Sequence, residues 1–519
     1  MVESEYTKFL ELKAQSGSMS GFDPVWIPDF LHPFQGNLTD WSIRKGRSAI
    51  FADCGLGKTP MQLVWAENVL RKTNKPVLVI TPLGVAAQTI REGEKFGVEC
   101  KRSKDGRHGN GIVLTNYERL HYFDPSDFSG AVCDESSAIK NFAGERRKEV
   151  TEFLRTIPYR LLCTATAAPN DYIELGTSSE AIGELGNMDM LAQFFKNDEN
   201  SLFPIWYGSR WRFKRHAEYH FWRWVCSWAR ACRKPSDLGF SDDGFVLPPL
   251  EFRETIVECP RDDDDGFFVV PAETNRDQLA ERRKTLRQRC ECVAEKLSED
   301  SRSSGLAWCH LNQEADLLEK IIPDALQVSG SMPDDLKEER FIAFSSGQLR
   351  VLVVKPKIGA FGLNWQHCSR MTFFPSHSYE QFYQGVRRCW RFGQTKPVIV
   401  DIVTTEGEIG VMKNLQRKSE AADRMFDNLV RVIGREMHLK RSTSGISRVD
   451  VPDWVGRDIV IEGDSFEGVN PWDLTSDAEE VVSHHPERDS WRTDKDATGI
   501  SRTGWNKWNS TGRNGRSKR

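Results

Sequence analysis

The chain has 519 residues, of which 39% are hydrophobic and 28% are charged, and its formal net charge is -4. This length leaves room for about two to four domains, and the composition excludes collagen-like and wholly disordered proteins. The small net charge excludes a general attraction to polyanions, so any contact with nucleic acid must come from local basic surfaces.

The sequence lacks the features of a membrane-spanning helix and of a signal peptide. No stretch approaches the roughly 18 consecutive apolar residues that a membrane span needs, and charged residues interrupt the start of the chain. The 12 cysteines are scattered, with only Cys290 and Cys292 close together and no CxxC pair of the kind found in zinc sites, which favours reduced thiols. We therefore expect a cytoplasmic protein that does not bind a membrane.

Short β-branched runs alternate with helix-length amphipathic segments from about residue 30 onward. The runs are SAIFAD, PVLVITP, GIVLTNYE, GAVCDE and YRLLCTAT. Buried parallel strands joined by crossover helices have this alternation. We therefore predict a doubly wound α/β lobe over residues 30–185, preceded by an N-terminal extension over residues 1–29.

The first run leads into CGLGKT and then into a helix-like segment, the order that a phosphate-binding loop requires. Gly55 and Gly57, on either side of Leu56, let backbone N–H groups turn inward, and the helix N-terminus adds a favourable dipole. Lys58 is predicted to reach the β- and γ-phosphates of ATP, and Thr59 to bind Mg²⁺. The strict pattern has a glycine where this loop begins with alanine, so a chance glycine turn is the alternative.

Two adjacent carboxylates, Asp134 and Glu135, follow the apolar run GAVC. A strand end at this point would place Asp134 beside the phosphate loop, where it can hold Mg²⁺. Glu135 could then orient or deprotonate the attacking water. Surface Asp-Glu pairs are common, but the strand and the upstream glycine loop favour the catalytic interpretation.

Residues 186–304 have a less regular pattern and are predicted to be a helical insertion and interlobe segment. Phe221, Trp224 and Trp228 share one face of a predicted helix. Burial of this face against a lobe is one interpretation, and an aromatic surface that stacks with bases is the other. The aspartate run at 262–265 is predicted to be a solvated loop.

A second alternation of strand-like and helix-like segments predicts another α/β lobe over residues 305–438. Its apolar runs are GLAWCHL, DALQVSG, RVLVVKP, RMTFFPS and PVIVDIV. It ends in an amphipathic helix whose apolar face is predicted to hold Met412, Leu415, Ala422, Phe426, Leu429 and Ile433. Two similar α/β lobes in tandem are therefore expected.

Arg388 and Arg391 lie three residues apart on a predicted helix of the second lobe. Phosphoryl transfer builds negative charge on the γ-phosphate oxygens, and an arginine supplied from outside the binding lobe accelerates it roughly 10³- to 10⁵-fold in other enzymes. Basic residues on a helix are usually solvated, which is the alternative interpretation.

Residues 439–519 show no periodicity and are predicted to form a weakly ordered tail. An acidic stretch over 450–496 precedes a basic end that contains Trp505 and Trp508. This end could bind nucleic acid by stacking and phosphate neutralisation, or it could simply be a solubilising terminus.

In order along the chain, these blocks resemble the motifs of Swi/Snf-type superfamily 2 helicases, particularly the short versions of phage and prophage genomes. The blocks are HPFQ, ADCGLGKT, VITPLGVAAQ, LTNYE, DESS, LLCTATAAPNDYIELG, GAFGLN and QGVRRCWRFGQ, within about residues 30–435. The closing GQ is typical of Swi/Snf-type relatives. Ser137 stands where the DEAH motif has histidine, and Ala167 where relatives commonly have proline. Neither departure removes a catalytic group.

The resemblance implies that the two α/β lobes are RecA-like doubly wound parallel-sheet lobes, and it implies further residue roles. Residues implied to contact the nucleotide are Phe34, Gln35, Gly362 and Gln384. Residues implied to couple the ATP site to the nucleic-acid site are Thr164, Thr166 and Gln394. Residues implied to contact nucleic acid are Thr81, Pro82, Asn116 and Asn364.

The expected function is a nucleic-acid-dependent ATPase that uses ATP and Mg²⁺ to translocate on, remodel or unwind DNA, with duplex DNA favoured over RNA. Its central requirement is that Lys58 and the carboxylates of one lobe face Arg388 and Arg391 of the other across a triphosphate. The alternatives are an ATP-switched recruitment factor that binds DNA without travelling, and an RNA helicase. A non-helicase P-loop ATPase or kinase would not need the block at 384–394. No feature of the sequence indicates an oligomeric state.

Overall fold

The computed structural model describes most of the two predicted lobes. The described residues are 19–82, 85–140, 144–168, 171–197, 211–258, 282–300, 302–359, 364–405 and 408–443. Several predicted features lie outside these residues, namely most of the N-terminal extension, the aspartate run, Gly362 and the tail beyond residue 443.

Strands and helices alternate along the described chain. The strands are β1 (Arg47–Ala52), β2 (Val77–Thr81), β3 (Cys100–Arg102), β4 (Ile112–Asn116), β5 (Gly130–Asp134), β6 (Tyr159–Thr164), β7 (Phe195–Asn197), β8 (Trp211–Phe213), β9 (Ala229–Cys232), β10 (Leu250–Val257), β11 (Gly305–Trp308), β12 (Ala325–Val328), β13 (Val351–Val354), β14 (Arg370–Phe373) and β15 (Val398–Thr405). The α-helices are α1 (Pro33–Lys45), α2 (Lys58–Thr73), α3 (Ala86–Phe96), α4 (Glu145–Arg155), α5 (Leu175–Ile182), α6 (Asn187–Phe194), α7 (Ala217–Trp228), α8 (Leu286–Ser298), α9 (Asn312–Ile321), α10 (Asp334–Ser345), α11 (Pro356–Gly359), α12 (Tyr379–Val386) and α13 (Ile409–Thr443). All the apolar runs named above coincide with strands.

The first lobe is built on a parallel sheet with the strand order β3-β4-β2-β5-β6-β1-β9. The chain crosses this sheet in one direction from β1 to β3 and in the other from β4 to β6. Since parallel crossovers are right-handed, the two directions place helices on opposite faces, as in a doubly wound sheet. β2 and β4 are buried along their whole length, which explains their continuous apolar runs.

The predicted motifs lie at the carboxyl ends of the first-lobe strands. β1 ends at Ala52, before the glycine loop, β5 ends at Asp134 and β6 ends at Thr164. These three strands are neighbours in the order β5-β6-β1, so their ends lie side by side. Open parallel sheets bind ligands at this edge.

The tryptophan-rich segment belongs to the first lobe. Phe221, Trp224 and Trp228 of α7 are buried in the first-lobe core, so the burial interpretation is confirmed and the base-stacking interpretation is wrong for these side chains. β9 pairs with β1, whereas β7 and β8 form a separate antiparallel pair. The sequence ARAC of β9 gives no strand pattern because it is short and contains a charged residue.

The second lobe is built on a parallel sheet with the order β10-β15-β14-β11-β13-β12. Its edge strand β10 comes from the segment predicted to be an insertion, and it pairs with β15 from Leu250 to Val257. Glu251, Arg253 and Glu254 interrupt this half-exposed strand, so it does not form the continuous apolar run that indicates a buried parallel strand. The predicted fold class, two parallel-sheet α/β lobes in tandem, is confirmed.

The final helix, α13, contacts both lobes. Met412 and Leu415 near its start are buried, and Phe426, Leu429 and Ile433 join the core of the first lobe. The predicted apolar face is therefore confirmed, but the partner of its second half is the first lobe. Within the described part of the chain, no helix, including this one of 35 residues, has the apolar length that crossing a bilayer requires.

Candidate active site

A cleft of about 430 Å³ lies between the two lobes. The first lobe contributes Lys58, Asp134 and Glu135 to its wall, and the second lobe contributes Arg388 and Arg391. Pockets that hold small ligands are typically about 300 to 1,000 Å³. The groups predicted to meet across a triphosphate therefore line one cleft of suitable size.

The glycine loop between β1 and α2 has a backbone that only glycine adopts readily. Gly55 has φ +88° and Gly57 has φ +72°, and a Cβ at Gly57 would overlap the side-chain amide nitrogen of Gln35. Nζ of Lys58 donates to the carbonyl oxygen of Ala52 at 2.9 Å. No described side chain caps this end of α2, which leaves its first N–H groups to a ligand.

Gln35 connects the start of α1 to the glycine loop. Its Nε2 donates to the carbonyl oxygen of Leu56 at 2.9 Å, and its Oε1 accepts from the backbone N–H of His32 at 2.9 Å. Gln35 and His32 line the cleft, whereas Phe34 and Leu56 do not. The Phe34 ring is buried and packs edge to face on Phe245, which lines the cleft. Its predicted role as a supporting ring beside the nucleotide stays a prediction. Leu56 can contribute its backbone alone.

Asp134 is held by hydrogen bonds at the end of β5. Its Oδ1 accepts from Nε2 of Gln62 at 2.7 Å, and its backbone carbonyl accepts from the hydroxyl of Tyr117 at 2.8 Å. Burial raises the pKa of Asp134 to about 6, although Gln62 and Lys58 act in the opposite direction. The hydroxyl-bearing Thr59 lines the same cleft. A carboxylate destabilised by burial and a nearby hydroxyl fit a magnesium ion whose remaining ligands are water and phosphate oxygens.

Glu135 has a constrained backbone and an oriented carboxylate. Its φ of +52° is unusual for a residue other than glycine, and such strain is found most often at functional sites. Oε1 of Glu135 accepts from Oγ1 of Thr164 at 2.6 Å and from Oγ of Ser137 at 3.1 Å. Ser137, which stands where the DEAH motif has histidine, thus helps to hold this carboxylate.

A chain of hydrogen bonds leads from the second lobe to Glu135. Nε2 of Gln384 donates to Oγ1 of Thr166 at 3.3 Å, and the backbone N–H of Thr166 donates to Oγ1 of Thr164 at 3.0 Å. Thr164 in turn bonds to Glu135. Gln384 is fully buried and does not line the cleft in this arrangement, where its side chain joins the two lobes. Its predicted contact with the nucleotide stays a prediction.

Arg388 and Arg391 follow the end of α12 and point into the cleft region. Nε of Arg388 donates to the carbonyl oxygen of Gln384 at 3.0 Å. Burial, followed by the nearby charge of Arg388, lowers the pKa of Arg391 to about 10, so it remains cationic at neutral pH. Nε2 of Gln394 donates to the carbonyl oxygen of Cys368 at 2.9 Å, which places its described contacts inside the second lobe.

The residues predicted to touch nucleic acid do not form one surface. Thr81 and Asn116 are buried partners at the ends of β2 and β4, so contact through their side chains is not possible in this arrangement. Their position holds the two strand ends together. Pro82 and Asn364 line the interlobe cleft. Gly362 lies outside the described residues.

Several residues around the site were missed in the sequence. Gln62 lies one helical turn after Lys58, so its position could have been inferred from that spacing. Asp53 forms a buried ion pair with Arg387, and the hydroxyl of Tyr383 also donates to Asp53. No local pattern marks this contact, because its partners lie 334 positions apart.

Aromatic rings surround part of the cleft. Phe245 and Phe392 stack with ring centroids 4.9 Å apart, and Phe30 stacks on Phe96 at 4.6 Å. All four line the cleft. Flat apolar surfaces of this kind can accommodate the base of a nucleotide.

Comparison with known proteins gives a match at the level of solved structures alone. No protein-family model matches the sequence, and no curated protein does. Among the solved structures, a point variant of S. cerevisiae Dbp5 bound to RNA and ADP BeF3 has a TM-score of 0.47 and 11% sequence identity. That similarity covers 77% of this chain and 98% of the other. A similarity of this size does not bear on the reaction or ligands of this chain.

Proposed function

We propose that this chain is a nucleic-acid-dependent ATPase that uses ATP hydrolysis to move along DNA, with duplex DNA as the favoured track. The observation that supports the proposal is the cleft in which Lys58 and the adjacent carboxylates face Arg388 and Arg391. Hydrolysis of a nucleoside triphosphate needs groups that position the phosphates and the water, and positive charge that stabilises the transition state. The cleft between the two lobes brings these phosphate-binding, water-orienting and cationic groups together.

Each polar group of the first lobe has a separate task in this proposal. Lys58 exchanges its carbonyl contacts for the β- and γ-phosphates of ATP, and the glycine-loop N–H groups bind the same phosphates. Thr59 and Asp134 hold Mg²⁺, which when bound neutralises phosphate charge. Glu135 orients the attacking water and accepts its proton, while Thr164 keeps the carboxylate in place.

The second lobe supplies positive charge. Arg388 and Arg391 stabilise the charge that develops on the γ-phosphate as its bond to the leaving group breaks. Both lie at the cleft already in this arrangement. Small rotations of the second lobe therefore switch the site between competent and incompetent geometries.

The hydrogen bonds from Gln384 through Thr166 and Thr164 to Glu135 support a coupling between lobe position and hydrolysis. Nucleic acid bound across both lobes is gripped differently in the open and closed arrangements, and alternation between them moves the protein along a strand. Contacts that are mainly to phosphates give weak sequence preference and strong dependence on salt. The preference for DNA rests on the Swi/Snf-type motif resemblance.

The decisive experiment measures ATPase activity alone and with duplex DNA, single-stranded DNA or RNA. We expect stimulation by nucleic acid, greatest with duplex DNA, and its loss in Lys58→Ala and Glu135→Gln. Arg253→Gln, which removes an exposed ion pair with Glu251 on the edge strand β10, outside the motif blocks, is the control and should keep full activity. Turnover that does not depend on nucleic acid would overturn the proposal. If RNA gave the strongest stimulation, RNA would replace duplex DNA as the proposed nucleic-acid substrate.

Movement needs a separate test. Displacement of a third strand from a DNA triplex, driven by ATP, is expected if the chain travels along duplex DNA. ATP-dependent binding without displacement would instead identify a switch that recruits partners to DNA.

A further inference from the structure

A buried contact joins the phosphate loop of the first lobe to the second lobe. Asp53 directly follows β1, and its carboxylate accepts from the guanidinium of Arg387 and from the hydroxyl of Tyr383. The side chains of Asp53 and Arg387 are 4% and 8% exposed. Neither is among the residues that line the cleft, so this contact acts beside the nucleotide site and not on the nucleotide itself.

Asp53 is attached to the loop that it precedes. Its Oδ1 accepts from the backbone N–H of Cys54 at 2.6 Å, and its carbonyl oxygen accepts from Nζ of Lys58 at 3.2 Å. Its own N–H donates to the carbonyl oxygen of Cys232 in β9 at 3.0 Å. A displacement of Asp53 therefore also displaces a contact of Lys58.

Arg387 is held in the second lobe by aromatic rings. Its guanidinium carbon lies 4.3 Å from the ring centre of Trp390 and 5.4 Å from that of Tyr383. Burial opposes its charge, but Asp53, Tyr383 and Cys54 together outweigh that effect and raise the pKa of Arg387 above its ordinary value. Because Arg388 is the next residue, the position of Arg387 determines where the cleft-lining arginines lie.

The ion pair of Asp53 with Arg387 is not needed merely to hold the two lobes together. Lys140 and Glu380 form another ion pair between the lobes, and neither residue belongs to the phosphate loop or lines the cleft. Buried ion pairs also contribute little net stability compared with apolar packing, which favours a role in geometry over one in stability.

We propose that the contact of Asp53 with Arg387 and Tyr383, here called the loop latch, positions the phosphate loop against the second-lobe arginines when the lobes close. The proposal rests on the proposed ATPase function and deepens it. In this role Asp53 and Arg387 are positioning residues. Their loss leaves nucleotide binding to Lys58 and the glycine loop but impairs the alignment needed for hydrolysis.

The test compares kcat and KM for ATP at saturating nucleic acid. Asp53→Asn, which keeps shape and removes charge, should lower kcat by about 100-fold while KM changes less than about threefold. Arg387→Gln should do the same. Because the two residues act as one unit, the double variant should be no slower than either single variant by more than about twofold. Independent, multiplying losses would overturn the loop latch.

Two controls separate positioning from general damage. Asp401→Asn makes the same change at a buried carboxylate of β15, remote from the loop, and should leave kcat within about twofold. Glu380→Gln removes the other ion pair between lobes and should reduce kcat far less than Asp53→Asn. Equal losses of kcat in Asp53→Asn and Glu380→Gln would mean that the loop latch merely holds the lobes together, which would contradict the inference.

The failure of this inference differs from failure of the proposed function. If the wild-type chain has no ATPase activity, both the proposed function and the loop latch are wrong. If the wild type is active and Asp53→Asn is equally active, only the loop latch is wrong. If Asp53→Asn does not fold, as judged by thermal unfolding, Arg387→Lys replaces it. Lysine keeps the charge but loses the planar fork, so it should restore part of the kcat lost in Arg387→Gln.

Discussion

The hydroxyl of Thr164 donates to Oε1 of Glu135 across 2.6 Å and also accepts from the backbone N–H of Thr166. Thr166 bonds to Gln384 of the second lobe. The carboxylate of Glu135, which is proposed to orient the attacking water, is therefore connected to the second lobe through Thr164 and Thr166. A movement of the second lobe can therefore change the orientation of Glu135 through these hydrogen bonds, without any contact to the nucleotide.

Removal of this hydroxyl tests the connection. Thr164→Val keeps the shape of the side chain and should lower kcat about tenfold, because Glu135 loses its strongest orienting bond, with little change in KM for ATP. Thr177→Val is the matched control, since its buried hydroxyl bonds to the carbonyl oxygen of Glu174 away from the cleft. Unchanged turnover in Thr164→Val would show that Glu135 needs no such support.

Arg391→Ala should slow hydrolysis far more than it weakens ATP binding. The loss of a transition-state cation is expected to reduce kcat by about 10³-fold, with a few-fold effect on the dissociation constant for ATP. Single-turnover rates and fluorescent-nucleotide titration separate the two effects. Arg370→Ala, which breaks a second-lobe ion pair with Glu299, serves as the comparison. Weaker binding with normal turnover of bound ATP would assign Arg391 to ground-state binding instead.

The pKa of Asp134 predicts a stability difference that depends on pH. Burial raises this pKa from 3.8 to about 6, so the folded protein binds the proton more tightly than the unfolded chain does. Ionised Asp134 thus destabilises the fold above about pH 6, and the penalty disappears as pH falls towards about 4. Asp134→Asn should raise the free energy of unfolding of the nucleotide-free protein by about 2 kcal/mol at about pH 7.5 and change it little near pH 4.

Urea unfolding at both pH values checks this difference. Saturating ATP with Mg²⁺ should reverse the order at the higher pH, because the carboxylate binds the cation and the amide does not. Destabilisation by Asp134→Asn in the nucleotide-free protein would mean that neighbouring donors, above all Gln62, already stabilise the anion.

Trp228 is expected to support the phosphate loop from within the core. Its ring is fully buried and packs edge to face on Phe51 of β1 and on Trp224. Trp228→Ala should lower the free energy of unfolding by about 3 to 5 kcal/mol through lost packing and the cavity left behind. Tyr219→Ala changes an exposed ring on the same helix and should have a small effect. A small effect of Trp228→Ala in chemical unfolding would contradict the packing.

Local patterns account for the parts of the structure that the sequence predicts well. The strands that end at Ala52 and Asp134 are continuous apolar runs, and their polar loops follow directly. Such runs predict buried parallel strands without any knowledge of neighbours, and the two parallel sheets follow from them. The expectation that Lys58 and Arg391 share a cleft comes from the resemblance of the blocks to helicase motifs.

Contacts over long distances explain what the sequence does not reveal. β10 is a half-exposed edge strand interrupted by three charged residues, so it does not show an apolar run. The role of Asp53 depends on its contact with Arg387 in the other lobe, which no local pattern indicates. Thr81 and Asn116 were assigned by resemblance, which identifies positions but not side-chain exposure. Their burial depends on how the strand ends pack.

The double attachment of α13 has a consequence for synthesis of the chain. Phe426, Leu429 and Ile433 fill a surface that the first lobe exposes until they arrive. Since translation proceeds from the N-terminus, the first lobe leaves the ribosome with part of its hydrophobic interior uncovered while the whole second sheet is being made. The nascent protein therefore passes through a stage in which chaperones can recognise an otherwise assembled lobe.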